Sequence, residues 1–160
     1  MSVWANSSSY PPPINKNYLI LGRGFAILLK QEDRKGSDEL KDYKMMCFNG
    51  KVFCTYVCSE RATRGGLRIT FYDRDWKRMP LKRASHPTAK QDTPKPEQYE
   101  RMISLAETLA KDLPFARVDF YNVDGHLYFG EITIYPAGGF EQFKPSAWDK
   151  TFGEMIKLPL

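Results

Sequence analysis

The dipeptide Asn49-Gly50 lies between two apolar runs and restricts the possible fold more than any other feature of this chain. Both central positions of a type I′ turn need positive φ angles, which Asn and Gly tolerate, so these residues predict a β-hairpin. Alternation along the two strands then gives each face a set of side chains. One face is apolar and should be buried; it carries Tyr43, Met45, Cys47, Val52, Cys54, Tyr56 and Cys58. The mixed face carries Asp42, Lys44, Met46, Phe48, Phe53 and Thr55.

The three cysteines of this hairpin could suggest a zinc site, with His86 as a fourth ligand. Cys54 and Cys58 are four residues apart in a predicted strand, which separates them by about 13 Å. Thiolates that share a zinc ion at about 2.3 Å each must lie much closer together. An odd number of cysteines also argues against a disulfide framework. We therefore expect reduced, metal-free, buried thiols.

The rest of the chain alternates further predicted strands with two predicted helices. Apolar runs predict strands at 67–73, 115–123 and 127–134, and helical spacing predicts helices at 96–113 and 146–156. This order indicates an α+β fold with a mainly antiparallel sheet. Residues 1–17, rich in Ser, Asn and Pro, predict an irregular lead-in, and residues 18–160 predict one domain.

Composition excludes several classes of protein. A hydrophobic fraction of 42% indicates a folded chain, and no apolar stretch is long enough to span a bilayer. The first residues lack the pattern of a signal peptide, so we expect a soluble, cytoplasmic protein. The net charge of +5 is moderate, and the densest basic segment, residues 74–83, is typical of a solvated loop. We therefore expect no nucleic-acid partner.

The second predicted hairpin, which joins strands 115–123 and 127–134, carries the polar residues of most interest. A two-residue turn would point Glu131 into the apolar side. A three-residue loop at 124–126 instead places Asp119 opposite Glu131 and Arg117 opposite Thr133. It also gathers one apolar face, which we expect to be buried and which contains Val118, Phe120, Ile132 and Ile134. Since register follows the buried face, we prefer the three-residue loop.

Two carboxylates directly opposite each other, as predicted for Asp119 and Glu131, lie about 5 Å apart at Cβ and repel. Such a pair suggests a positive group between them, and Mg²⁺ bound with nucleotide phosphates is a natural candidate. Without metal, removal of one carboxylate would then relieve repulsion. Arg117 adds a planar donor suited to a phosphate or an acyl-phosphate oxyanion. The alternative is a surface ion pair of Arg117 with either carboxylate and no ligand, and the local pattern leaves both interpretations open.

The closing stretch from FARVDFYNV to EMIKLP resembles the corresponding segment of the TupA-like ATP-grasp family. DYKMMCFNGKV, the following strand with Arg61, and FYDRDW at 71–76 resemble that family in the same order, so the resemblance covers residues 42–159. It implies the C-terminal subdomain of an ATP-grasp fold, an α+β structure with a mainly antiparallel sheet and helices packed on one face.

The resemblance also implies a binding site. In ATP-grasp enzymes an R-x-D strand and a following E-x-N-x-x-P segment supply the magnesium ligands. RVD at 117–119 and EIT at 131–133, with Pro136, match this layout, although Thr133 replaces the Asn. The implied metal ligands are Asp119, Glu131 and Thr133, and the implied contact to the transferring phosphate is Arg117. Lys44 and Arg61 are implied contacts to nucleotide phosphates, and either could equally be a solvated strand residue.

The function implied by the family is ATP- and Mg²⁺-dependent activation of a carboxylate, through an acyl phosphate that an amine attacks. The expected setting is cell-envelope or surface-polysaccharide biosynthesis, beside glycosyltransferases. The expected partners are a nucleotide and a carboxylate-bearing small molecule or glycan precursor.

A second hypothesis concerns the N-terminal portion. Family members carry a longer one, with a nucleotide-clamping lysine and a Gly-rich loop, whereas this chain offers GRG at 22–24. This favours a non-catalytic nucleotide- or metal-binding remnant, or half of a split enzyme whose partner chain supplies the N-terminal part. The intact set of Arg117, Asp119 and Glu131 favours a ligase-like enzyme, so the sequence leaves catalysis open.

Overall fold

A computed structural model describes residues 41–61, 63–123 and 125–158, and the predicted lead-in at 1–17 lies outside this part. In chain order the elements are β1 (Asp42–Phe48), β2 (Lys51–Ser59), β3 (Arg68–Asp73), β4 (Lys82–Arg83), α1 (Tyr99–Leu109), β5 (Phe115–Val123), β6 (His126–Thr133), a 3₁₀ turn (Pro136–Gly139), β7 (Phe143–Lys144) and α2 (Ala147–Met155). Five strands form an antiparallel sheet in the order β3-β2-β1-β5-β6, and β4 pairs with β7. The predicted α+β class with a mainly antiparallel sheet is confirmed.

The hairpin predicted at Asn49-Gly50 is confirmed. The two residues have φ angles of 49° and 76°, and Phe48 pairs with Lys51 across the two-residue turn. Positive φ at both central positions is what a type I′ turn requires, so the dipeptide accounts for the turn.

A β-bulge interrupts this hairpin two residues beyond the turn. Cys47 pairs with Val52, but Met46 pairs with Cys54, so Phe53 is an extra residue on β2. One extra residue shifts the alternation of every later side chain on that strand to the other face. The face assignments from Cys54 onward are therefore the reverse of those predicted.

The prediction that all three cysteines share a face is wrong for this reason. Cys47 lies in the apolar cluster beneath α1, whereas Cys54 and Cys58 lie in the cluster on the opposite face, with Tyr56. The sheet itself separates Cys47 from the other two. The predicted burial is confirmed for all three thiols, because none is more than 2% exposed.

Helix α1 covers one face of the sheet. Its buried residues recur at intervals of three and four, and they are Tyr99, Met102, Ile103 and Ala106. They pack with Met45, Val118 and Phe120 of the central strands. Full burial of a Met, Ile, Val or Phe side chain stabilises the fold by about 1.5–3 kcal/mol. The predicted helix at 96–113 is thus present in a shorter form.

Helix α2 lies on the other face, so the two helices are divided between the faces and not packed on one. Phe152 of α2 packs on Phe48 and Phe143, with ring centroids 5.5 and 4.9 Å apart. The strands predicted at 67–73, 115–123 and 127–134 correspond to β3, β5 and β6. Within the described ranges, neither helix is long and apolar enough to cross a membrane.

Candidate functional site

Three neighbouring strands bring polar side chains onto one face of the sheet. Lys44 on β1 pairs with Asp119 on β5, and Arg117 on β5 pairs with Thr133 on β6. Directly opposite residues on antiparallel strands point to the same face, so these four side chains lie side by side. The predicted pairing of Arg117 with Thr133 is confirmed.

A β-bulge in β6 brings Glu131 to Asp119. Between the last pair before the bulge and the first pair after it, β5 has one residue, Asp119, whereas β6 has two, Gly130 and Glu131. Both β6 residues therefore face Asp119, and the predicted proximity of the two carboxylates is confirmed. The apolar neighbours differ from the prediction: Val118 is fully buried, but Ile132 and Ile134 are 38% and 40% exposed.

The turn of this second hairpin is shorter than predicted. Val123 pairs with His126, which leaves two residues in the turn, and the predicted three-residue loop at 124–126 is wrong. The register near Arg117 still matches the prediction, because the bulge supplies the extra residue that the loop lacks. The bulge thus aligns the carboxylates, and the turn does not.

Gly130 allows the bulge to form close to Asp119. A Cβ at this position would lie 3.1 Å from the Asp119 carbonyl oxygen and 3.2 Å from Cε2 of Tyr121. These distances are tight for any side chain. The absence of a side chain at Gly130 therefore lets β6 approach β5 at the point where the candidate ligands meet.

The guanidinium of Arg117 connects all three residues implied as metal ligands. Its Nε donates to Oδ1 of Asp119 at 2.7 Å, and its Nη2 donates to Oδ2 at 2.8 Å. The same Nη2 donates to Oε1 of Glu131 at 2.5 Å and to Oγ1 of Thr133 at 2.9 Å. The ion pairs that the sequence left open as an alternative are therefore both present, and the positive group between the carboxylates is an arginine of this chain.

Lys44 extends this set of charges from Asp119 to Asp42. Its Nζ contacts Oδ2 of Asp119 and lies 2.9 Å from Oδ2 of Asp42. Nη2 of Arg61 reaches the same Asp42 oxygen at 2.8 Å, so Arg61 joins the site through Asp42. We call this alternating series of three basic and three acidic residues the charged row; its members are Arg61, Asp42, Lys44, Asp119, Arg117 and Glu131.

Asp42 is a residue of the site that the sequence analysis did not select. Its side chain is only 2% exposed, yet it contacts both Lys44 and Arg61. Its place two residues before Lys44 was the available signal, because residues i and i+2 of a strand share a face. Among the described residues, its buried Oδ1 has no hydrogen-bond partner, so this carboxylate can accept a further bond.

The neighbours of the two inner cations keep them charged. Burial opposes the charge of Lys44, but Asp119 and Asp42 outweigh it and raise the pKa of Lys44. Burial also opposes the charge of Arg117, whose pKa is nevertheless raised by hydrogen bonds to Asp119 and by nearby Tyr56, Asp119 and Glu131. Burial raises the pKa of Asp42, although Lys44 acts against this shift. Lys44 and Arg117 therefore carry full positive charges at neutral pH.

The oxygens of Asp119, Glu131 and Thr133 fit a hard divalent cation. All three converge on one nitrogen of Arg117, within 2.9 Å of it. Mg²⁺ takes oxygen ligands and is usually held by one or two carboxylates together with phosphates and water. Across the described residues, no three His, Cys, Asp or Glu side chains form a metal-binding group. A Mg²⁺ ion here would thus need phosphate or water oxygens to complete its shell.

An apolar cavity of about 580 Å³ adjoins one end of the charged row. Met46, which pairs with Arg117, lines it together with Ile134 and Phe152. A ligand that spans both regions would place its polar groups on the charged row, because the cavity wall offers few partners for them.

Comparison with protein families agrees with the motifs. The family model described as TupA-like ATPgrasp matches residues 24–157, a range that contains every residue of the charged row and Thr133. No curated protein and no solved structure matches the chain. The resemblance drawn from the sequence motifs is therefore confirmed.

Proposed function

Because the chain belongs to the TupA-like ATP-grasp family, we propose that it binds a nucleotide together with Mg²⁺ on the sheet face that carries the charged row. The observation that carries this proposal is the convergence of Asp119, Glu131 and Thr133 on one cationic nitrogen. Three oxygens already arranged around a positive charge suit Mg²⁺, which prefers oxygen ligands. In this proposal the three residues hold the ion.

The basic residues of the charged row contact the phosphates. Arg117 offers a planar fork that can bind two phosphate oxygens at once, whereas Lys44 acts as a compact point charge beside it. Arg61, which reaches the site through Asp42, lies at the end of the row farthest from Glu131 and adds a third cation. Together with the bound ion, these cations attract the oxygens of a nucleoside polyphosphate.

The proposed reaction is the activation of a carboxylate. A carboxylate oxygen attacks the terminal phosphorus of ATP, the bond from that phosphorus to ADP breaks, and an acyl phosphate forms. An amine then attacks the acyl carbon, loses a proton, and inorganic phosphate leaves. Arg117 stabilises the negative charge of the transferred phosphoryl group and of the oxyanion formed when the amine adds. Bound Mg²⁺ would supply further neutralisation of the phosphate oxygens.

The family resemblance supports a setting for this reaction. We assign it to cell-envelope or surface-polysaccharide biosynthesis, with a carboxylate-bearing small molecule or a glycan precursor as substrate. The reaction would take place in the cytoplasm, where ATP is available.

A second candidate function is binding of a nucleotide or metal without catalysis, either as a remnant or as one half of a split enzyme. Thr133 favours this candidate, because the family pattern has an Asn carbonyl at the third ligand position. In a split enzyme, a partner chain would contribute the remaining nucleotide contacts. Phosphate release from ATP, measured with and without the product of the neighbouring coding sequence, separates the split enzyme from the remnant.

Melting curves with and without Mg-ADP test the binding site. Ligand at 100 times its Kd stabilises a folded protein by about 2.7 kcal/mol, so the wild type should melt at a higher temperature with Mg-ADP. Asp119→Asn and Glu131→Gln should each lose most of this increase. Arg117→Lys should also lose much of it, since an ammonium cannot reproduce the guanidinium fork.

Glu154→Gln is the matched control for the carboxylate variants. Glu154 lies on α2 and is 67% exposed in its pair with Lys150. Its loss should leave the effect of Mg-ADP intact. A wild type without any shift, or carboxylate variants with the full shift, would contradict the proposed function.

A further inference from the structure

We propose that Arg117 is an internal substitute for the metal ion, and that the buried hydroxyl of Tyr56 receives its guanidinium when the ion binds. The inference rests on the proposed function, because it concerns how the same ion enters the site. It gives a positioning role to Tyr56, which lies outside the motifs of the site.

The guanidinium and a metal ion cannot occupy the three ligands at the same time. Nη2 of Arg117 lies 2.5–2.9 Å from oxygens of Asp119, Glu131 and Thr133. A Mg²⁺ ion bonded to those oxygens at about 2.0–2.1 Å would lie almost where the nitrogen lies. Entry of the ion therefore requires that Arg117 release all three residues, which leaves its Nε and Nη2 for the phosphate contacts of the proposed function.

Charge balance leads to the same conclusion. The charged row has three acidic and three basic members, so it is neutral without an ion. A divalent cation among these oxygens would lie directly against the guanidinium charge if Arg117 stayed in place, and like charges in contact repel strongly where the dielectric constant is low. The ion and Arg117 thus compete for the carboxylates.

Tyr56 provides a partner for the displaced group. It pairs with Lys44 across β1 and β2, and Lys44 pairs with Asp119 across β1 and β5, so Tyr56 and Asp119 flank Lys44 on one face. Tyr56 is 2% exposed, and its hydroxyl has no hydrogen-bond partner in the described part of the chain. Buried polar atoms are rarely left unpaired, and a hydroxyl oxygen can accept a bond from a guanidinium.

One nitrogen of Arg117 lies outside its hydrogen bonds to the three ligands. Its four hydrogen bonds use Nε and Nη2, and Nη1 takes part in none of them. Burial raises the pKa of Tyr56, and the charge of Arg117 is the strongest electrostatic effect that opposes this shift. Arg83 lies over the Tyr56 ring, 5.8 Å from its centroid, and helps to fix its position. The guanidinium and the hydroxyl thus lie within electrostatic range of each other.

Titration of Mn²⁺ alone into the nucleotide-free full chain tests the inference, with free Mn²⁺ read by electron paramagnetic resonance. Arg117→Gln removes the competing cation, so it should bind Mn²⁺ at least tenfold more tightly than the wild type. Tyr56→Phe removes the acceptor for the displaced guanidinium, so it should bind Mn²⁺ at least threefold more weakly. Tyr43→Phe is the matched control, since Tyr43 is a buried tyrosine in the cluster on the opposite face.

Circular dichroism verifies that each variant is folded, and Arg117→Ala replaces Arg117→Gln if the latter does not fold. Unchanged or weaker Mn²⁺ binding after loss of Arg117, or unchanged binding by Tyr56→Phe, would overturn the inference. A repeat with ADP separates the two levels of the account. If the wild type binds Mn²⁺ with ADP and the variants bind it equally well, this inference alone is refuted. If the wild type binds no Mn²⁺ with ADP or without it, the proposed function is refuted as well.

Discussion

Arg117 binds both carboxylate oxygens of Asp119, at 2.7 and 2.8 Å, from a position two residues away on the same face of β5. The Arg117 side chain is only 11% exposed and that of Asp119 only 2%. Removal of one partner from a buried ion pair leaves a charge without compensation. Loss of either partner alone would therefore destabilise the metal-free protein, and the proposed ion must neutralise Asp119 when Arg117 releases it.

Loss of the Asp119 charge should destabilise the metal-free protein. We expect Asp119→Asn to lower the free energy of unfolding by about 3–5 kcal/mol, because Arg117 and Lys44 lose their shared partner. Glu131→Gln should change it by less than about 1 kcal/mol, because Glu131 is half exposed. Urea denaturation in the presence of a chelator measures both values.

This prediction reverses the one made from the sequence, in which removal of a carboxylate relieves repulsion. Repulsion is absent because Arg117 lies between Asp119 and Glu131. An Asp119→Asn variant as stable as the wild type, or more stable, would contradict this prediction and restore the original one.

A side chain at Gly130 should disturb the bulge. A Cβ there would meet the Asp119 backbone at 3.1 Å, so we expect Gly130→Ala to lower stability by about 1–3 kcal/mol, the usual effect of overpacking. Gly153→Ala is the control, since no atom lies within 4 Å of its added Cβ and the residue is within α2. That substitution should stabilise the protein by about 0.5–1 kcal/mol. Similar denaturation midpoints for the two variants would refute a tight approach at Gly130.

Stability should fall at alkaline pH. Burial raises the pKa of Tyr43, Cys47 and Tyr99 each to about 12, from ordinary values of 10.0 for tyrosine and 9.0 for cysteine. Above about pH 9 the unfolded chain releases protons that the folded chain retains, so the free energy of unfolding decreases as pH rises towards 12. Urea midpoints measured from pH 8 to pH 11 should fall steadily above pH 9, with a shallower slope in Cys47→Ala. A constant midpoint over this range would be inconsistent with these shifts.

The thiols should be unreactive in the native protein. Disulfide exchange requires an exposed thiolate, whereas Cys47, Cys54 and Cys58 are buried and burial raises the pKa of each. We expect an aromatic disulfide reagent at pH 8 to leave all three thiols of the native protein unmodified. Over the same time the reagent should react completely with protein unfolded in guanidinium. Fast reaction of the native protein, or stoichiometric zinc by elemental analysis, would contradict buried, metal-free thiols.

The first hairpin turn and the helices of this fold were predictable because short sequence signals determine them. Asn49-Gly50 has the positive φ angles that its residue types indicated, and the apolar stripe of α1 has helical spacing. The pairing of Arg117 with Thr133 followed from the choice of a buried face. For the turn and for α1, local conformation and burial favour the same answer, whereas the Arg117 pairing also needs the second bulge.

The bulges were not predictable, since alternation assumes that each residue faces one partner. The extra residue at Phe53 moves Cys54 and Cys58 to the opposite face, and the extra residue beside Asp119 replaces the predicted three-residue loop. The ion pairs of Arg117 could be anticipated as an alternative, but its simultaneous contact with Glu131 and Thr133 depends on the second bulge. The role proposed for Tyr56 depends on the first, because without it the tyrosine would lie beneath α1.

Isothermal titration of the wild type with ADP, with and without Mg²⁺, tests the central claim most directly. If Asp119, Glu131 and Thr133 hold an ion that shares its oxygens with the nucleotide, ADP should bind at one site per chain with Mg²⁺, and at least tenfold more weakly in a chelator. Mg²⁺-dependent binding should also be lost in Asp119→Asn and retained in Glu154→Gln. ADP binding of equal affinity with and without Mg²⁺, or no binding at millimolar nucleotide in either buffer, would contradict the account.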